Sequence, residues 1–460
     1  MSKENDVNII KTRDDKTPIQ FVDGDGKQKF KLCKDMDCPW LDADAEFGPE
    51  KLRPRIEPWL TALFQSEHLA LLAGSGLSNA VHLLATENSL PGMSEVAFTN
   101  FNDAISNKAR ESAKRAGREE GNIEDQIRVV NELIRGGEIL SSRYPDLDKH
   151  LESLKSELKT VLEDFAGAVL KGENGLISSL PEKREEAFNY LVSFLMSFAS
   201  RTGTRDRLQV FTTNYDRFIE AGADIAGLHL IDRFVGVLTP VFRSSRLEVD
   251  MHYNPPGIRG EPRYLEGVAR FTKLHGSLDW ISTEGQIRKF GLPFGSENIM
   301  PYLNAPGLRG SEALDLMIYP NAAKDRETAS YPYVELFRDF AAAVCRPNST
   351  LVTFGYSFGD EHINRVIEDM LTIPSSHLVI ISYGDPLGRI KQTYEKLGRY
   401  AQITLLVGPH LGDLRTLVDN YLPKPAIDRT TFKMSELLKA RWGTFQADSS
   451  LQTSEDRNNQ

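Results

Sequence analysis

The chain has 460 residues, and its 65 acidic residues outnumber the 55 Lys and Arg residues, which gives a formal net charge of −10. Apolar residues make up 40% of the chain and charged residues 26%, which excludes global disorder, while the acidic balance argues against direct nucleic-acid binding by this chain alone. No apolar run reaches the roughly 20 residues that a membrane-spanning helix needs, and three cysteines fit a cytoplasmic protein better than a disulfide framework.

Residues 1–55 are polar and have few periodic apolar positions, so we predict an extended or loosely packed arm. Nothing near their start has the apolar stretch of a secretory signal. Residues 56–101 begin an α/β domain, because a helical pattern near Glu57 leads into the apolar run His68–Ala73. Such a run is typical of a buried parallel strand.

Residues 102–205 are predicted to form a helical insertion. Apolar residues recur at helical spacing between Ile123 and Val169, and Pro145 and Pro181 interrupt the pattern. We expect these residues to pack in a core beside the sheet. A coiled-coil surface for a partner is the alternative, but the pattern is too short to identify one.

From residue 206 to residue 425, short apolar runs alternate with helical stretches, which predicts parallel strands joined by crossover helices. The runs are Leu208–Thr213, Leu228–Ile231, Phe271–His275, Leu314–Tyr319, Leu351–Gly355, His377–Tyr383 and Ile403–Val407. With the strand near His68, the predicted fold class is α/β, a doubly wound, Rossmann-like parallel sheet of about six to seven strands with a helical insertion. Residues 426–460 are predicted to be a C-terminal extension with a disordered tail.

Polar segments follow several of these predicted strands, and the first is a glycine turn. Gly74, Ser75, Gly76 and Ser78 come directly after the first strand and before a helix. Backbone amides at such a turn suit a diphosphate, although a tight turn without a ligand explains the residues equally well.

Two further segments carry candidate catalytic residues. One contains Thr213, Asn214 and Asp216 at a strand end, where parallel sheets bind ligands. The alternative is that Asn214 and Asp216 only cap the next helix. His275 also ends an apolar run and is the best placed of nine histidines to act as a general base. A lone histidine of this kind is more often structural.

The fourth segment, with Gly355, Ser357 and Asp360, is a second glycine turn that suits a ribose, or is purely structural.

The four segments read G-S-G-x-S, T-T-N-Y-D, L-H-G-S and G-Y-S-F-x-D-x-x-I in this order. This ordered set resembles the NAD-binding core of the sirtuin fold. It is most similar to that of the sirtuin-like NAD hydrolases of prokaryotic antiphage defence.

The resemblance implies that NAD is the substrate and is cleaved to nicotinamide and ADP-ribose. It assigns Asn214, Asp216 and His275 to catalysis, with His275 as the base. It also implies an NAD-binding set, in which the last three residues hold the adenosine side: Gly74, Ser75, Gly76, Ser78, Thr213, Gly355, Ser357 and Asp360.

The chain departs from the deacylase sirtuins in its cysteines. Those enzymes carry a zinc ribbon of two cysteine pairs after the catalytic histidine, whereas here only Cys345 follows His275. Cys33 and Cys38 have the spacing of half a metal site but no second pair. We therefore expect no metal, and the missing ribbon argues against an acylated peptide as substrate.

The resemblance extends to biological role and partners. It implies NAD depletion in antiphage defence by abortive infection, a homo-oligomer, and a HerA-type ATPase as a partner subunit. The arm and the helical insertion are the expected contact surfaces. Two alternatives stay open at this point: an NAD-dependent protein deacylase or ADP-ribosyltransferase, and a non-catalytic NAD-sensing or scaffold subunit.

Overall fold

A computed structural model describes residues 7–424, apart from 13–14, 27, 35, 42–44, 92–93, 116–119, 202–204, 254–262, 309 and 318–330. The C-terminal extension predicted at residues 426–460 lies outside the described residues. None of the described helices is long and apolar enough to cross a membrane.

Strands and helices alternate along the described chain. The strands are β1 (Asn8–Lys11), β2 (Ile19–Asp23), β3 (Phe30–Leu32), β4 (His68–Ala73), β5 (Leu208–Thr212), β6 (His229–Ile231), β7 (Phe234–Val235), β8 (Val241–Phe242), β9 (His252–Tyr253), β10 (Arg263–Tyr264), β11 (Val268–Lys273), β12 (Trp280–Thr283), β13 (Gln286–Lys289), β14 (Ser349–Phe354), β15 (His377–Ser382) and β16 (Ile403–Val407). The helices are α1 (Pro49–Phe64), α2 (Ser75–Thr86), α3 (Asn102–Arg115), α4 (Ile123–Ser141), α5 (Leu147–Ser178), α6 (Pro181–Ala199), α7 (Phe218–Ala226), α8 (Tyr333–Val344), α9 (Glu361–Met370), α10 (Arg389–Leu397) and α11 (Leu414–Asn420).

The main sheet has ten strands in the order β3-β2-β1-β16-β15-β14-β4-β5-β11-β6. The strands from β16 to β6 all pair in parallel. The prediction of an α/β fold with a large parallel sheet is therefore confirmed, but the predicted number of six to seven strands is too low. The apolar run at Leu314 also differs from prediction, because Ala313–Asp315 forms a 3-10 turn and residues 318–330 lie outside the described part.

The extra strands come from the N-terminal segment that we expected to be a loose arm. Strands β1, β2 and β3 form an antiparallel meander that joins the sheet through β1 and β16, where Ile10 pairs with Leu406. Ile10 and Phe21 are completely buried. Each of these strands supplies only one to three buried residues. The segment is therefore polar on average, and its composition does not reveal the strands.

Both faces of the sheet are covered by helices, because the side chains of each central strand alternate between two cores. In β4, Leu71 packs in the core shared with α1, α2 and α6, whereas Leu72 packs in the core shared with α8 and α9. Strand β15 alternates in the same way through Val379 and Ile380. The near-continuous apolar strands identified from the sequence are thus buried on both sides.

The direction of chain connection reverses between β4 and β14. From β4 the chain proceeds to β5 and β11 on one side, and from β14 it proceeds to β15 and β16 on the other. The carboxyl ends of two such neighbouring strands open a crevice in which α/β proteins bind ligands. Gly74 follows β4 at this point and Gly355 follows β14.

The predicted helical insertion packs over this crevice rather than beside the sheet alone. Helices α4 and α5 form a core with Tyr215, which follows β5, and Leu278, which follows β11. Helix α6 instead packs on α2 and α7, within the helix layer of the sheet.

Candidate active site

The residues predicted to form the site line one cavity of about 590 Å³ at the carboxyl ends of β4, β5, β11 and β14. They are Gly74, Ser75, Gly76, Ser78, Thr213, Asn214, Asp216, His275, Gly355, Ser357 and Asp360. Residues from four distant segments therefore meet at one place. Their individual roles depend on the contacts that each makes.

A chain of hydrogen bonds links Asn214, Ser78 and Asp216. Asn214 Nδ2 donates to the Gly74 carbonyl oxygen and to Ser78 Oγ, each at 2.9 Å. Ser78 Oγ in turn donates to Asp216 Oδ1 at 2.9 Å. Since an amide nitrogen has two hydrogens and both are donated here, any contact of the Asn214 side chain with a ligand falls to Oδ1.

The Asp216 carboxyl is partly buried, and it also accepts from the Phe218 amide at 3.2 Å, as a residue at the start of α7 does. Helix capping therefore accounts for one contact of Asp216, whereas the Asn214 amide group donates to Gly74 and Ser78 and not to a helix end. Burial raises the pKa of Asp216 to about 6, against the opposing effects of the Lys273 charge and the Ser78 hydrogen bond.

Lys273 is a buried cation beneath the site that the sequence analysis did not single out. It is 1% exposed, and its Nζ donates to the Asp216 carbonyl oxygen and, at 3.0 Å, to Glu220 Oε1. The loop with Asn214 and Asp216 is thus fixed to β11 from below. A lysine within an apolar strand is the signal in the sequence that would have found it, because a buried lysine needs such partners.

His275 and Asp360 contact each other across the cavity. His275 Nε2 lies 2.9 Å from Asp360 Oδ2, and the two side chains are 17% and 7% exposed. Asp360 Oδ1 accepts from the amides of His362 and Ile363 at the start of α9. The family resemblance implied a place for Asp360 on the adenosine side of a dinucleotide, whereas its carboxylate lies against the candidate base.

The two glycine turns pack directly on each other. The Gly76 amide donates to the Gly355 carbonyl oxygen at 3.1 Å, and the Gly74 amide donates to Phe354 at 2.9 Å. A Cβ atom at Gly76 would lie 2.6 Å from Gly355 Cα, and Gly355 itself has a φ of +61°. Glycine is therefore required for contact between the turns, and these two amides are already engaged.

The helical insertion supplies a wall of the cavity that motif analysis missed. Phe165 and Val169 of α5 line it, together with Glu124 of α4. Tyr215 joins this wall to the strand ends, since its hydroxyl donates to Glu124 Oε1 at 3.1 Å and its ring packs edge-on against Phe165. Apolar spacing in α5 indicated core packing, and nothing local distinguished residues that face a cavity.

Arg389 at the start of α10 also lines the cavity and was not predicted. Its guanidinium lies near Gly359, where an added Cβ would be 2.7 Å from Nη1. A positive charge at this end of the cavity suits a phosphate group.

Within the part of the chain that the structure describes, metal ligands are not gathered at this cavity. Across the described residues, no group of three or more His, Cys, Asp and Glu side chains is arranged to hold a metal ion. Cys33 and Cys38 are free thiols, and burial raises the pKa of both.

Comparison with known proteins connects this architecture to one family. Residues 208–406 match the SIR2-like domain family. The match includes Asn214, His275 and Asp360 but begins after the first glycine turn and the helical insertion. It supports a sirtuin-like family and is consistent with an enzyme that uses NAD. A search of curated proteins gave no match.

Proposed function

We propose that this chain is an NAD glycohydrolase, which cleaves NAD to nicotinamide and ADP-ribose. The observation that carries the proposal is the meeting of Asn214, Asp216 and His275 in one cavity between two glycine turns. The match to the SIR2-like domain supports NAD as the ligand. The acylated-peptide alternative is less favoured, because the chain has too few cysteines for the zinc ribbon of deacylases.

The reaction breaks the bond between the ribose anomeric carbon and the nicotinamide nitrogen. The bond electrons leave with nicotinamide, positive charge develops on the ribose, and water attacks the anomeric carbon. Asn214 Oδ1 would accept a hydrogen bond from that water or from a ribose hydroxyl, since its Nδ2 is held by Gly74 and Ser78. Holding the reactants in this geometry supplies a large part of the rate enhancement.

His275 would take the proton released by the attacking water or by a ribose hydroxyl. Base catalysis of this kind typically contributes roughly 10²–10⁴-fold. Asp216 would hydrogen-bond within the ribose pocket, and Ser78 would orient both Asn214 and Asp216 rather than contact the diphosphate itself.

The diphosphate and adenosine would lie along the glycine turns. Because the Gly74 and Gly76 amides donate to the second turn, the diphosphate would rely on Ser75 and on the N-terminus of α2. Thr213 lines the same cavity and would also contact the ligand. Gly355 and Ser357 would face the adenosine half, with Arg389 as the phosphate-binding cation.

Product analysis tests the proposal. Purified protein is incubated with NAD, with and without an acylated peptide, and the products are separated by chromatography. Free nicotinamide and ADP-ribose without peptide support the glycohydrolase, and O-acyl-ADP-ribose formed only with peptide supports the deacylase. NAD binding without any product supports a sensing subunit.

Variants of the same protein test the residues. We expect His275→Ala to lower turnover by at least about 10²-fold in protein that remains folded. Asn214→Ala should also lower turnover, and it should lower the melting temperature as well, because it removes the buried hydrogen bonds to Gly74 and Ser78. The matched control is His150→Ala, at an exposed position on α5. Wild-type turnover in folded His275→Ala protein would remove His275 from the mechanism.

We further propose that the activity depletes NAD in antiphage defence, and that assembly of this chain into a homo-oligomer together with a HerA-type ATPase raises the activity. The resemblance of the motifs supports this role. Exposed apolar residues at the end of α4 and just beyond it, Ile139, Leu140 and Tyr144, offer a contact surface on the helical insertion. Turnover per chain that is constant over a wide protein concentration range, and unchanged by the ATPase, would contradict control by assembly.

A further inference from the structure

We propose that Asp360 is a positioning residue for the catalytic base: it binds the Nε2 hydrogen of His275 and thereby makes Nδ1 the nitrogen that takes the proton. The proposal rests on the glycohydrolase function proposed above and adds to it the partner and the reacting atom of the base. It also replaces the adenosine-side role expected for Asp360 from its motif.

The assignment of the two ring nitrogens follows from the chemistry of the pair. Asp360 Oδ2 lies 2.9 Å from His275 Nε2, and an ionised carboxylate can only accept a hydrogen bond. The hydrogen of the neutral imidazole is therefore on Nε2, and the lone pair is on Nδ1. The same logic applies wherever a carboxylate fixes the tautomer of a histidine.

Asp360 is itself firmly held. Its Oδ1 accepts from the His362 amide at 2.9 Å and from the Ile363 amide at 3.4 Å, which caps α9. The Tyr356 hydroxyl, which is buried, donates to the Asp360 carbonyl oxygen at 3.2 Å. With Oδ1 engaged by a helix terminus, Oδ2 has a fixed direction toward His275.

The backbone of His275 is fixed as well. Gly276 has a φ of +89°, and the Ser277 amide donates to the Met317 carbonyl oxygen at 3.0 Å. Asp360 is thus held at the amino terminus of α9, and His275 follows the carboxyl end of β11 in a turn fixed by main-chain contacts. Little rearrangement is needed to keep the imidazole in one orientation.

The proton balance of the step is simple. The O–H bond of water or of a ribose hydroxyl breaks, its electrons stay on oxygen, and the proton forms a new bond to His275 Nδ1. The resulting imidazolium keeps its Nε2 hydrogen and lies beside the Asp360 carboxylate, which stabilises the positive charge without taking the proton.

The central variant is Asp360→Asn, because asparagine keeps an oxygen for the helix cap. A positioning role predicts that turnover in this variant falls at least about tenfold. The loss is smaller than the whole contribution of base catalysis, because His275 itself is still present. It also predicts that the dissociation constant for ADP-ribose, measured by calorimetry, changes by less than about twofold, since a carboxylate that acts only through His275 contributes no contact of its own to the ligand. The matched control is Asp413→Asn, since Asp413 caps α11 in the same way.

A second variant series separates positioning from a structural effect. In a His275→Ala background, Asp360→Asn should cost no further activity, because the residue acts only through the histidine. A further loss in the double variant would assign Asp360 an independent role. In the Asp360→Asn single variant, weaker ADP-ribose binding with unchanged turnover would restore the adenosine-side role. Higher turnover in that variant would mean that Asp360 restrains the base. Either result overturns the proposal.

A spectroscopic readout keeps the test independent of activity. The nine histidines of the full chain are labelled with ¹⁵N, and the His275 signals are assigned by their loss in His275→Ala. We expect the Nε2-hydrogen tautomer in the wild type and a changed tautomer balance in Asp360→Asn. If the wild type does not cleave NAD, the glycohydrolase proposal fails, but these spectra still test the contact between Asp360 and His275. An Nδ1-hydrogen tautomer in the wild type would overturn the proposed role of Asp360.

Discussion

Glu173 of α5 and Arg217, the residue after Asp216, form a buried ion pair. Arg217 Nε donates to Glu173 Oε1 at 3.1 Å, and the Arg217 amide donates to the same oxygen at 2.9 Å. Glu173 is completely buried and Arg217 is 7% exposed. The pair joins the helical insertion to the loop that carries the candidate catalytic residues.

We expect Glu173→Gln to lower the free energy of unfolding by about 3–5 kcal/mol, because it removes the ion-pair partner of the buried Arg217 charge. Chemical denaturation followed by circular dichroism measures the change. Glu152→Gln is the matched control, since Glu152 is an exposed residue of the same helix paired with Lys155. Such surface pairs contribute about 0–1 kcal/mol.

The double variant Glu173→Leu with Arg217→Met distinguishes the loss of the pair from a loss of packing. Replacing both charges with apolar groups of similar size removes the uncompensated charge, so we expect part of the stability to return. The return is incomplete, because the Leu292 and Pro293 carbonyl oxygens lose the hydrogen bonds that the Arg217 guanidinium donates. A single variant with a loss below about 1 kcal/mol would show that the pair does not anchor the loop.

The candidate site was largely predictable from the sequence because its residues are in local motifs. A glycine or a polar residue directly after an apolar run is enough to place Gly74, Asn214, His275 and Gly355 at strand ends. Parallel strands then bring those ends to one edge of a sheet. The wall formed by Phe165 and its neighbours could not be predicted, since it depends on how the insertion folds back over that edge.

Partnerships between distant residues were beyond the sequence for a different reason. Glu173 lies among the charges of a long helix, and nothing adjacent marks it as the one that is buried. Its partner Arg217 is 44 residues away in the sequence. The contact of Asp360 with His275 spans 85 residues. Helix capping accounts for the contacts of one oxygen of that carboxylate. The partner of the other oxygen is visible only in the tertiary structure.

We expect Gly74→Ala to weaken ADP-ribose binding at least tenfold and to lower the melting temperature. The new Cβ would clash with the Gly355 carbonyl oxygen and lie 2.7 Å from Tyr356 Cα, which forces the two glycine turns apart. Calorimetry and thermal unfolding measure the two effects. Overpacking of this kind typically costs about 1–3 kcal/mol.

Gly136→Ala is the control for the glycine change. Gly136 is an exposed residue within α4, and a Cβ there would meet nothing within 4 Å. Alanine favours the helix over glycine by roughly 0.5–1 kcal/mol, so this variant should be slightly more stable than the wild type with unchanged ligand binding. Unchanged binding in Gly74→Ala as well would show that contact between the turns is not needed for the site.

The Asp216 carboxyl makes the stability of the protein dependent on pH. Burial raises its pKa from the ordinary 3.8 to about 6, so between these values the folded chain keeps a proton that the unfolded chain has lost. The folded state therefore loses stability as the pH rises through this window, and the full cost above pH 6 is roughly 3 kcal/mol at 1.4 kcal/mol per pKa unit.

Replacing Asp216 with Asn removes that cost, because the amide is uncharged and its oxygen still accepts from Ser78 and from the Phe218 amide. We expect Asp216→Asn to match the wild type near pH 4 and to exceed it by up to about 3 kcal/mol at pH 7–8. Urea unfolding at several pH values measures the difference. Asp224→Asn, at an exposed position on α7, should differ from the wild type by less than about 0.5 kcal/mol throughout. A gain in Asp216→Asn that does not change with pH would show that the carboxyl is already ionised at pH 4, and that burial does not control its charge.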